Sequence, residues 1–351
     1  MKYLSFLFIF TLSCTTPTKE EKSTFTQLKA ETISLEGVDL FKVEHLFSHN
    51  GDYVAVENSG DYYLKIFSKK GKFKKNVARK GLGPNEFKDL VARSFISGDG
   101  LIQGIEASNN AFHFLKIDAD DEEAALEKIQ QIQMPLRTQF VNDGIAFGDS
   151  LIIGSSNGDL MEEEVFKYHV AQDALEEMAI PNNIPFLEDI SQPAKYELLF
   201  KKFVKHPVKE QFALLYTKFG QVQIYDLEMN LLNEWRKDSD IQKLTEAVEN
   251  NRVNYDEVAS YNLSVAASED YIFGLSLGKT NNEMKAMTPE AMMSFQPLVY
   301  VWDWKGNLVA TLKLDRPLAA ITYDQEQNIL VGVSPFVENE IYTYALSNFD
   351  R

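Results

Sequence analysis

One phrase returns six times along this chain of 351 residues, and it leaves few folds open. The phrase is an alternating strand that carries aromatics, then a polar turn, then a second short strand. Its clearest copy is Val299-Tyr300-Val301-Trp302-Asp303-Trp304-Lys305-Gly306-Asn307-Leu308. Others begin at Leu64 and Val222, and weaker copies cover residues 112–117, 166–175 and 341–346. Lys-Gly-Lys at 70–72 and Lys-Gly-Asn at 305–307 read as hairpin turns, because glycine takes positive φ at low cost. Copies spaced by roughly 40 to 80 residues predict an all-β, six-bladed β-propeller of four-stranded blades. The alternative is a pair of open sandwiches, which has little use for six similar hairpins.

Each copy then supplies the third and fourth strands of a blade. The first two strands of blade 5 fall at residues 261–267 and 271–277, and those of blade 6 at 318–323 and 328–334. The chain stops just after the third strand of blade 6. Ala30-Glu31-Thr32-Ile33-Ser34-Leu35 alternates as a strand should and can supply the missing edge, closing the ring and covering a sticky β edge. This phasing places the connections between blades, and those between second and third strands, on one face, here called the top. Four top segments stand out: residues 81–87, 182–200, 237–260 and 278–297. Two read as short helical insertions. Ser239-Asp240-Ile241-Gln242 has the form of a capping box, with Ile241, Leu244 and Val248 on one stripe. Thr288-Pro289-Glu290 starts another helix, among Met284, Met287, Met292 and Met293. Such a methionine cluster either packs a lid onto the propeller or meets a variable partner.

The N-terminus belongs to targeting and not to the fold. Residues 1–13 have the layout of a signal peptide: a basic start, an apolar run over 3–12 and a polar turn of composition. The run is too short to span a bilayer as a mature helix. Cys14, the single cysteine, closes it and cannot form an internal disulfide. Residues 14–27 read as a lipidated cysteine with a flexible tether, and 28–351 as the propeller. The formal charge of −17, from 35 basic and 52 acidic side chains, argues against nucleic acid, which requires a basic face.

Chemistry is hard to find. Gly81-Leu82-Gly83-Pro84-Asn85-Glu86 is no phosphate loop, since it lacks the Lys-Ser/Thr pair and Pro84 removes a backbone donor. It reads as a rigid turn with Phe87 packing below and Glu86 accepting from nearby backbone. Arg79 and Lys80 beside it offer a small cationic site. The acidic run Asp118, Asp120, Asp121, Glu122 and Glu123 lacks the spacing and glycine of a calcium loop. His45 and His49 are four apart on a strand, where that spacing spreads ligands out, so no metal site is expected. No Gly-x-Ser-x-Gly elbow exists, and no cofactor is implied.

The signal peptide with its cysteine, the six blade phrases and the Gly-x-Gly-Pro-x-Glu-Phe element at 81–87 resemble the TolB-like six-bladed propeller lipoproteins of Bacteroidota. Cys14 resembles a lipobox cysteine, although Thr11 stands where leucine is preferred. Lys19-Glu20-Glu21-Lys22 is similar to surface-export signals of such lipoproteins, and equally to an ordinary charged linker. The resemblance implies a propeller in the cell envelope, anchored to the outer membrane by lipid and facing the periplasm or the surface. It implies no catalytic residues. The expected function is a module that binds an envelope protein or glycan through its top loops, with Arg79, Lys80, Asn85, Glu86, Met287 and Phe295 as candidate contacts. The other expectation is a metal-dependent hydrolase or lactonase at the channel mouth.

Overall fold

A computed structural model of the chain describes residues 25–346, apart from 84, 92–95, 99–100, 118–125, 140, 158–159, 182–183, 185 and 250–251. The expected signal peptide, Cys14, most of the expected tether and the acidic run at 118–123 therefore lie outside the described residues. Apart from a two-stranded pairing of Val248–Glu249 with Arg252–Val253, the described strands assemble into six sheets of four or five strands arranged as a propeller. Blades 1 to 4 span Val43–Arg79, Ile96–Gln133, Val141–Met178 and Lys201–Arg236. Blades 5 and 6 span Ser264–Leu314 and Ala320–Ala345. Each expected hairpin phrase is the outer half of its blade.

Burial explains the composition of each strand. Strands in the middle of a blade are covered on both faces, as in Asp52–Glu57 and Leu151–Ser156, where every residue is buried. Outer strands such as Leu126–Gln133 are solvated on one face, and they alternate. The repeated turn has a common device in blades 4 and 5. The Asp226 carboxylate accepts from the Asn230 backbone at 2.8 Å and its side-chain amide at 2.9 Å. Asp303 does the same for Asn307 at 2.8 and 2.9 Å. The residue before each asparagine is left-handed, with φ of +79° at Gly306 and +65° at Met229.

Closure takes the expected form, with one addition. Glu31–Ser34 pairs antiparallel with Glu340–Ala345 and completes blade 6. Thr26–Leu28 also pairs, parallel to the outer strand of blade 5, so the end of the expected tether is already strand. The chain thus stitches two neighbouring blades together before blade 1 begins.

The insertions differ in detail from expectation. Residues 182–200 hold a helix that was not foreseen, α1 (Gln192–Leu198). Helix α2 (Asp238–Glu246) begins before Ser239, with Lys237 at its N-cap and no capping box. The Asp240 carboxylate turns away from the helix end and accepts from the Gly220 backbone at 3.1 Å. A side chain on Gly220 would meet that carboxylate at 2.9 Å, so the glycine makes room for it. Leu244 is buried and Ile241 packs beside it, in a small core shared with Ile184, Phe186, Leu198 and Val253. Helices α3 (Asn281–Lys285) and α4 (Pro289–Met293) lie between strands two and three of blade 5. Thr288 caps α4 as expected, accepting from Ala291 at 3.2 Å, and Thr280 with Glu283 makes a full capping box on α3.

Candidate functional site

Two chambers meet on the propeller axis. The lower one, about 810 Å³, is the central channel, walled by inner-strand residues such as His45, Phe47, Asp143 and Phe203, with Gln103 from the second strand of blade 2. The upper one, also about 810 Å³, opens among the top loops of blades 4 to 6. Glu44, Lys202 and Leu263 line both, so the channel mouth is the floor of the upper chamber.

Blade 4 supplies the cationic side of that floor. Its inner strand, Lys201–Lys205, opens with two lysines, and strand alternation sends them opposite ways. Lys201 turns in between blades, only 2% exposed, and its ammonium donates to Glu164 at 2.6 Å. Burial pushes the Glu164 carboxyl up from its ordinary range, with Lys201 opposing the shift. Lys202 turns to the axis, where its Nζ lies 3.9 Å from Asp143 Oδ2. Asp143 is held in turn by the Gly144 and Phe203 backbone amides at 2.9 and 3.3 Å. Above them, Lys218 stands in the turn between strands two and three, its Nζ 5.5 Å over the Tyr255 ring.

Blades 5 and 6 supply an apolar wall: Leu277 just past the end of strand two of blade 5, Met284, Met292 and Phe295 from the lid segment, with Leu318 and Phe336 from blade 6. No residue of α3 or α4 is buried. The pair is tied down by exposed polar contacts. Lys285 reaches Asp256 at 2.8 Å, and Asn282 donates to Glu257 at 2.7 Å. The lid therefore covers the chamber without belonging to the core.

Residues 41–326 match the family described as TolB-like 6-blade propeller-like. The chain belongs to this family. Among solved structures, the TolB-like chain resembles an exported protein of Bacteroides fragilis at 13% identity and TM-score 0.56, covering 92% of this chain and 99% of that one. It also resembles a member of the DUF4221 family from Bacteroides vulgatus at 10% identity and TM-score 0.58, covering 91% and 97%. At such identities the likeness shows the fold. No curated protein matches the chain.

The structure divides the candidate contacts of this TolB-like propeller between two places. Phe295 lines the upper chamber, and Met287 sits half-buried between α3 and α4, its amide donating to Met284 at 3.2 Å. Arg79, Lys80, Asn85 and Glu86 lie at the junction of blades 1 and 2 and line neither chamber. There the Glu86 carboxylate accepts from the Gly83 amide at 2.8 Å and faces Arg79 at 3.5 Å. Lys80 donates to the Asn58 carbonyl at 2.7 Å and lies 4.7 Å over the Tyr63 ring. Asn85 is exposed. The residues that reading the sequence missed are Lys202, Lys218 and Phe336. A signal existed for the first: a Lys-Lys pair opening an inner strand is unusual, because charge there needs a partner or a cavity.

Proposed function

We propose that this TolB-like propeller is a lipid-anchored module of the cell envelope that binds a partner through its top face. The observation that carries the reading is the roofed chamber of about 810 Å³ under the blade 5 lid, built from the longest insertions of the chain. Between a protein and a glycan, the wall of Leu277, Met284, Met292 and Phe295 favours apolar groups, because these side chains answer few sugar hydroxyls. Anchoring at Cys14 draws support from the signal-peptide layout, and export from the B. fragilis relative. Among the described residues no three His, Cys, Asp or Glu side chains are grouped to hold a metal ion.

The test has two arms. Cells fed labelled palmitate should transfer label to the wild-type protein and not to Cys14→Ala. Purified protein should capture an envelope partner that is lost when residues 279–296 are replaced by a Gly-Ser linker. A linker variant that retained every partner would end the top-face reading.

A further inference from the structure

We infer that the upper chamber takes a small amphipathic carboxylate, its apolar chain against blades 5 and 6 and its anionic head toward the lysines of blade 4. This rests on the top-face reading and names the ligand. A volume of about 810 Å³ lies inside the range of small-molecule sites, roughly 300–1,000 Å³. The chamber also has two chemically distinct sides. One is Met284, Met292, Phe295 and Leu318; the other carries Lys202 and Lys218.

The sign of the head follows from which charges are already engaged. Glu44 accepts from the Asn58 amide at 3.1 Å, and Glu197 lies against the Tyr255 hydroxyl. Lys218 makes no hydrogen bond or ion pair with any described residue, and has only the Tyr255 ring beneath it. In a chain of net charge −17, a cation left without a carboxylate beside an apolar chamber is matched best by an anion from outside. An ammonium head would meet Lys202 and Lys218 at like charge.

Calorimetric titration of the purified protein tests this with three twelve-carbon probes, each below its micelle concentration: dodecanoate, dodecyltrimethylammonium and dodecyl maltoside. Dodecanoate should bind once per chain and most tightly. Lys218→Gln should weaken it about tenfold, the effect of one charge-assisted contact. Lys209→Gln, on the opposite face, should change nothing. Met292→Asp, on the half-buried lid, should abolish binding. Equal affinity for all three heads, or an unchanged Lys218→Gln, would overturn the anionic assignment. If no probe bound, the inference would fail. The top-face reading would still stand if the Gly-Ser linker abolished partner capture.

Discussion

Two top-face segments hold their positions by opposite means. At residues 81–87 the chain folds onto its own side chain. The Glu86 carboxylate sits where a Cβ on Gly81 would lie, 1.9 Å from that point. Phe87 beneath it is fully buried, edge-on to His113 at 5.4 Å with the Lys128 ammonium 4.1 Å from its ring. The blade 5 lid instead rests on a solvent-exposed ion pair and a hydrogen bond, and shows half of its methionines to a chamber. The first arrangement turns its carboxylate back onto its own backbone and lines neither chamber. The second leaves apolar surface uncommitted, on the chamber that Lys218 of blade 4 also lines. A conspicuous glycine motif thus marks stiffness here, and a loosely held insertion marks the candidate site.

The sharpest test of this contrast is Phe87→Ala. Truncating a fully buried phenylalanine should cost about 3–5 kcal/mol in denaturant unfolding, with Met292→Ala costing far less. Equal losses would erase the distinction.

Acid should attack the blade 1–2 junction next. Burial holds the His113, His49 and His206 imidazoles below their ordinary range. Below about pH 6.5 the unfolded chain takes up protons that the folded chain refuses, so stability falls as pH drops from neutrality. Each group contributes at most about 1.4 kcal/mol per pH unit. His113→Gln should reduce the slope of unfolding free energy against pH between 7 and 5. An unchanged slope would mean that His113 titrates normally.

A smaller effect, about 1 kcal/mol, is expected from Gly81→Ala, because the added methyl displaces the Glu86 carboxylate from the Gly83 amide. In a Glu86→Ala background the same change should cost less, and simple additivity would show that the two do not interact. The smallest effect concerns the lid. The Lys285 ammonium, by hydrogen bonding, holds the exposed Asp256 carboxyl below its usual range. Lys285→Ala should leave the unfolding midpoint unchanged and accelerate amide exchange across 279–296. A shift in the midpoint would show that the lid is part of the folded core.

Much of the architecture was legible in the residues. Hairpin phrases such as 222–231 and 299–308 carry turn chemistry that is local, so the sequence expresses it directly. The closing strand was readable from its polar–apolar alternation around Ile33, although Ile33 is the only one of its four residues partly shielded from solvent. The capping box at Ser239 failed because the helix starts one residue earlier, at Asp238 with Lys237 at the N-cap, so Ser239 already lies inside the first turn. The parallel strand Thr26–Leu28 was missed because three residues carry too little pattern to stand out from a tether.

The sequence by itself thus determined the number of blades, the place of the turns and the face on which the long insertions fall. All three follow from periodicity and turn preference within a few dozen residues. The tertiary structure decided which top segment is closed and which is open. It also brought Lys202 and Lys218 of blade 4 opposite Met292 and Phe336 of blades 5 and 6. That chamber is a property of the closed ring: its walls come from strands and loops far apart in the chain, and no local pattern records their meeting.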